Sequence, residues 1–139
     1  MKKLRTTKQL REERLERDPE FRAYWERTAL ARAVANTLIG FRVEHGLTQT
    51  QLARQLGMRQ PQVARMEIGE HTPSLDTLRR LAQLLGLRLI VAISPAADGT
   101  PPMEVPLPEG AKVLEDVTAL DGSRLLVAEG YYGCEARVC

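Results

Sequence analysis

Three side chains in one short stretch, Gln60, Gln62 and Arg65, carry the most pointed chemistry in this chain. A glutamine amide can hydrogen-bond adenine bidentately, and an arginine guanidinium can do the same to guanine in the major groove. No comparable set points to a reaction. A nucleophile, a base and an orienting group cannot be assembled from the sequence, so an enzyme is not expected. A metal site normally wants four Cys or His ligands, yet Cys134 and Cys139 fall in the last six residues while His45 and His71 lie far upstream. No metal and no cofactor are expected, and the thiols read as unpaired in a reducing cytoplasm.

The elements that would position those side chains are two short helices joined by a tight turn. Thr48 and Gln51 form a capping-box pattern that fixes the start of the first helix. Leu52, Ala53 and Leu56 share one face, and Gly57 follows where helices commonly end. The second helix restarts within three residues, with Val63 and Met66 facing inward and Gln60, Gln62 and Arg65 on other faces. Two short helices at a steep angle, the second rich in Arg and Gln, make a helix-turn-helix.

Around this pair the chain divides readily. Residues 1–17 are strongly polar and read as a solvated helix or arm. Asp18-Pro19-Glu20 is a helix start, followed by Phe21, Tyr24 and Trp25 at spacings of three and one, which hold half of the chain's aromatic rings. Such a cluster packs against its own domain or docks a partner; sequence leaves both open. Thr28 to Glu44 is the strongest amphipathic helix, with Leu30, Val34, Leu38 and Phe41 on one face. After a loop, Ser74 caps a further helix whose core face is Leu75, Leu78, Leu81, Ala82 and Leu85. Leu87 to Ile93 then reads as a strand. A lone apolar strand needs a partner, either the same strand of a second copy or the tail of its own chain. Pro95, Pro101, Pro102, Pro106 and Pro108 mark a linker, and beyond it two apolar-rich runs flank Asp121-Gly122 as in a hairpin.

With 139 residues, 43% of them hydrophobic, one small aliphatic-cored domain with attached segments is expected. No run approaches the ~18 apolar residues of a membrane span, and a cytoplasmic protein is implied. The net charge of +2 is unevenly spread: residues 1–94 sum to +7 and residues 95–139 to −5. A basic body suits a polyanionic partner.

From Leu38 to Leu87 the sequence resembles the Cro/cI-type (Xre) helix-turn-helix family. The residues that carry the resemblance are Arg42, Gly46 to Gln49, Leu52-Ala53, Leu56-Gly57, Val63, Glu67, Gly69, Pro73 to Leu75, Leu78 and Ala82 to Gly86. The resemblance implies that the second helix enters DNA with Gln60, Gln62 and Arg65 toward base edges. It implies that Gln49 holds the phosphate backbone and that Arg42 forms a structural ion pair with Glu67. Arg59 departs from the small capping residue commoner in the family, and is read as an additional base or phosphate contact. The segment from Asp18 to Thr28 and the strand at Leu87–Ser94 are similar to HigA-type antitoxins, which repress their own operon and neutralise a toxin; Phe21, Tyr24 and Trp25 would then be the partner-binding face.

The expected fold is mostly α: a five-helix lambda-repressor-like domain with an N-terminal helical extension and a short C-terminal strand and tail. The expected divisions are 1–27, 28–94, 95–110 and 111–139. The expected function is a repressor binding double-stranded operator DNA as a homodimer, most concretely an autoregulating antitoxin with a cognate toxin. The alternatives are a stand-alone regulator whose tail senses a ligand or partner, and a protein-binding module that no longer contacts DNA.

Overall fold

The computed structural model describes residues 4–95 and 104–131 of the chain. Six helices precede three strands: α1 (Thr7–Arg17), α2 (Pro19–Arg27), α3 (Ala29–Glu44), α4 (Gln49–Leu56), α5 (Gln60–Ile68), α6 (Leu75–Leu85), β1 (Leu87–Ser94), β2 (Lys112–Thr118) and β3 (Arg124–Tyr131). The fold is thus mostly α, with α1 and α2 within residues 1–27 and four helices, α3–α6, rather than five, between there and the first strand. Local chemistry sets most boundaries. Asp18 Oδ1 accepts from the Phe21 N–H at 2.9 Å, which with Arg14 nearby holds the Asp18 carboxyl below its usual range. Pro19 at the first helical position has no N–H to leave unpaired. Ser74 Oγ caps α6 through the Thr77 N–H at 3.2 Å.

One apolar core joins α3 to β1. Val34 and Leu38 of α3, Leu52 and Leu56 of α4, Val63 and Met66 of α5, Leu78, Leu81 and Leu85 of α6, and Leu87 of β1 are all buried. Leu38, Leu52 and Val63 are fully enclosed, each contributing about 1.5–3 kcal/mol of apolar transfer. Leu75, expected in this core, is 84% exposed. It lies on the right stripe but is the first residue of α6, beyond the packed part of the stripe, which begins one turn later at Leu78.

The partner of β1 is the chain's own tail. The strand order is β1-β3-β2, with β3 antiparallel to both neighbours and Leu87–Ser94 in unbroken register with Tyr131–Arg124. The β2–β3 hairpin turns at Asp121-Gly122, where Asp121 Oδ1 accepts from the Ser123 N–H at 2.8 Å. Leu126, Val127 and Ala128 of the central strand are buried, so the hairpin gains from β1 and α3 the burial it lacks alone. Of the expected linker, residues 96–103 lie outside the described residues. Pro108 rests against Gly130 of β3, with its Cγ 3.7 Å from where a Cβ would stand.

Two polar contacts fasten the sheet to α3. Thr37 Oγ1 donates to Glu129 at 2.9 Å, and Arg32 meets Glu115 through Nε at 3.1 Å and Nη2 at 3.3 Å. The Arg32 and Glu115 side chains are only 15% and 14% exposed. Arg32 also donates to the Trp25 carbonyl at 2.6 Å and to Thr28 Oγ1 at 2.7 Å, so one guanidinium ties α2, α3 and β2 together. Arg32→Ala leaves a half-buried carboxylate without its cation, and is expected to destabilise the protein by about 2–4 kcal/mol in chemical denaturation. Arg79→Ala, which removes an exposed pair with Asp76, should change stability by less than about 0.5 kcal/mol.

Candidate nucleic-acid interface

The turn between α4 and α5 is built to hold the two helices close. Thr48 caps α4: its Oγ1 accepts from the Gln51 N–H at 3.1 Å, and Gln51 Oε1 accepts from the Thr48 N–H at 2.8 Å. Gly57 ends α4 at φ 64°, a left-handed conformation that glycine adopts without strain. Arg59 opens α5 but brings no acceptor to cap it. Instead Gln62 Oε1 reaches back to the Arg59 N–H at 2.9 Å. Pro61, in the first turn, needs no partner for a missing N–H. At the other end Gly69 approaches α3 closely: a Cβ there would stand 3.4 Å from Ala35 Cβ and 3.5 Å from Arg32 Cα, at a φ of 76°.

Val63 and Met66 turn α5 inward, and its opposite face is open. Arg59, Gln62 and Arg65 are exposed at successive spacings of three, joined by Pro61 and by Ile68, which is 65% exposed. These side chains form one continuous strip. His71 and Thr72 of the following loop line the same shallow hollow as Gln62 and Arg65, a proximity with no sequence signal of its own.

The aromatic cluster lies on α2, under α1. Phe21 and Trp25 rings are 5.9 Å apart and tilted by 38°. Arg14 of α1 lies 4.1 Å over Phe21, and Trp25 sits between Arg11 at 5.1 Å and Arg32 at 3.5 Å. Two of the three rings therefore anchor neighbouring helices. Tyr24, 38% exposed, keeps an outer surface with Arg27 5.9 Å from its ring. No side chain of α1 is fully buried, and the cation–π contacts of Arg11 and Arg14, worth about 0.5–1 kcal/mol each, join it to α2. Among the described residues, no group of His, Cys, Asp and Glu is arranged to hold a metal ion, and no helix is long and apolar enough to cross a membrane. Cys134 and Cys139 lie outside the described residues.

A hydrogen-bonded relay links the interior to the open strip. Arg42 Nε and Nη2 meet the two Glu67 carboxylate oxygens at 2.7 and 3.2 Å, and Arg42 Nη1 donates to the Leu47 carbonyl at 3.3 Å. Gln49 Nε2 donates to the same carboxylate at 2.8 Å, and Gln60 Nε2 donates to Gln49 Oε1 at 2.9 Å. A carboxylate only accepts, so Gln49 must turn its NH2 to Glu67. Its carbonyl then takes the Gln60 NH2, and the Gln60 carbonyl takes no part in the relay. Gln49 and Gln60, read from sequence as separate DNA contacts, are joined to each other.

Burial pushes the Glu67 carboxyl up, since its side chain is only 7% exposed, but the hydrogen bonds from Arg42 and Gln49 with the Arg42 charge outweigh it and leave the group below its ordinary range. A lowered carboxyl contributes stability above its unfolded pKa of about 4.3 and loses it as pH falls through the folded value. Glu67→Gln is expected to destabilise the protein by about 1–3 kcal/mol at neutral pH. In urea titrations the gap between the two proteins should begin to narrow as pH falls below the unfolded value of about 4.3, and close as it falls through the lower folded one.

The helix-turn-helix family pattern matches residues 40–90. Antitoxin HigA1 of Mycobacterium tuberculosis is 38% identical over 72 residues, 52% of this chain and 48% of that protein, so the chain spans about half the length of that relative. An uncharacterized HTH-type transcriptional regulator of Haemophilus influenzae is 39% identical over 59 residues, 42% of this chain and 60% of its own. One from Archaeoglobus fulgidus is 33% identical over 49 residues, 35% of this chain and 70% of its own. No solved structure matches. The turn at Gly57, the open face of α5 and these relatives agree, and the chain belongs to the Xre-type family of helix-turn-helix DNA-binding regulators.

Proposed function

We propose that this protein is a cytoplasmic antitoxin that binds a palindromic operator as a homodimer, represses its own operon and neutralises a cognate toxin. The observation that carries the DNA half is the open strip of α5. Gln62 and Arg65 reach base edges, the carbonyl of Gln60 accepts from adenine, and Arg59 meets a base or a phosphate. Gln49, held by Glu67, lies at the start of α4, where backbone N–H groups also face the phosphate backbone. The antitoxin half is supported by the likeness to HigA1, whose 72 aligned residues extend past the stretch matched by the helix-turn-helix family. For toxin docking the α1–α2 side is the natural surface. Phe21 and Trp25 lie beneath a helix with no buried side chain, and Tyr24 is outside it.

A ligand-sensing tail has less support, because the central hairpin strand buries Leu126, Val127 and Ala128 in packing rather than around a chamber.

In mobility shifts on the protein's own promoter, Arg65→Ala should weaken binding by about 10- to 100-fold, corresponding to ~1–3 kcal/mol for a bidentate contact. Binding should also weaken steeply with salt. An unchanged, salt-insensitive shift would sink the DNA reading. Co-purification with the product of the adjacent gene tests the toxin partner, and Tyr24→Ala should reduce that complex while leaving the promoter shift intact.

A further inference from the structure

The two edges of the sheet are unlike each other. β2 is the protected edge: it carries Lys112, Glu115 and Asp116, and its register with β3 shifts between Val113 and Glu115. Charges and a bulge of this kind prevent a strand from accepting another. β1 has neither device. Its eight residues, LRLIVAIS, run in unbroken register with β3 and include one charged side chain. Nor does the helical domain cover it evenly. Leu87, Leu89, Val91 and Ile93 share one face, and along it exposure rises from 5% at Leu87 to 38% at Val91 and 77% at Ile93.

We propose that the outer edge of β1 pairs with β1 of a second copy, in antiparallel register centred on Val91. The proposal rests on the homodimer reading above and names its interface. An antiparallel pair places residues of one face directly opposite each other. Centring on Val91 sets Val91 against its counterpart, Leu89 against Ile93, and Arg88 against Ser94. The exposed apolar side chains thus cover one another and no like charges meet. Closure favours a second copy over an unrelated strand: the two-fold uses both open edges at once and leaves a bulged, charged β2 at each end of the joined sheet, so pairing stops at the dimer. The same axis, perpendicular to the sheet, keeps both helical domains on one side of it. Two α5 helices related in this way suit two half-sites of a palindrome.

The test is sedimentation equilibrium of the full chain, wild type against Val91→Lys with Ile93→Lys, with Val113→Lys on the β2 edge as control. The wild type and the Val113→Lys protein should be dimers. The double variant should be a monomer with unchanged helical circular dichroism, and should lose about 100-fold in operator affinity as the two half-sites uncouple. If the double variant does not fold, Val91→Cys in a Cys134→Ser, Cys139→Ser background decides, since a residue facing itself across antiparallel strands lies within disulfide reach. Ready oxidation to a covalent dimer supports the register. A dimer that persists in the folded double variant, or that Val91→Cys fails to cross-link, overturns the β1 interface while leaving the homodimer standing. A wild type that is monomeric overturns both.

Discussion

The carboxylate of Glu67 is the point on which the helix-turn-helix depends. Its two oxygens accept from Arg42 of α3 and Gln49 of α4 while it stands near the end of α5, so one small group fixes three helices. With the side chain nearly buried, water does not compete for those oxygens. An acid is required here because an amide would offer a donor to Arg42 or Gln49, both of which already donate. The direction of each later bond follows from that, down to which end of Gln60 meets Gln49. The open face of α5 is therefore tied to the inside of the domain.

Arg32 plays the corresponding part on the other side. Its guanidinium lies over Trp25, bonds the end of α2, and pairs with Glu115 of the hairpin. This contact explains how an acidic tail stays on a basic body. The shielded Arg32–Glu115 pair joins the opposed charges of the two parts, while apolar packing of the central strand supplies the area. The aromatic cluster takes its meaning from the same residue. Trp25 is met by Arg32 of α3 and by Arg11 of α1, so the rings join the first helix to the domain rather than standing clear of it.

Caps and stripes were legible because they are local. A cap joins residues three apart, and an apolar face repeats every three or four. Thr48, Asp18 and Ser74 each begin a helix where their side chains allow it, and Val34, Leu38, Val63 and Met66 are buried on the stripes that place them. The hairpin turn at Asp121-Gly122 was legible for the same reason. Leu75 shows the limit: periodicity gives the angle of a side chain about a helix axis, but not whether anything packs at that end of the helix.

The sequence by itself determined the helices, their caps and the helix-turn-helix with the side chains carried on its second helix, because each depends on interactions within a turn or two. Only the tertiary structure decided which partners those residues take. The Gln49–Gln60 bond spans 11 residues, the Gln49–Glu67 bond 18, the Arg32–Glu115 pair 83 and the Thr37–Glu129 bond 92. It likewise decided that β1 takes the chain's own tail on one side and, among the described residues, pairs with no strand on the other. Contacts of that range leave no periodic trace, since any compatible donor and acceptor in the chain would satisfy the same chemistry until packing brings one pair together.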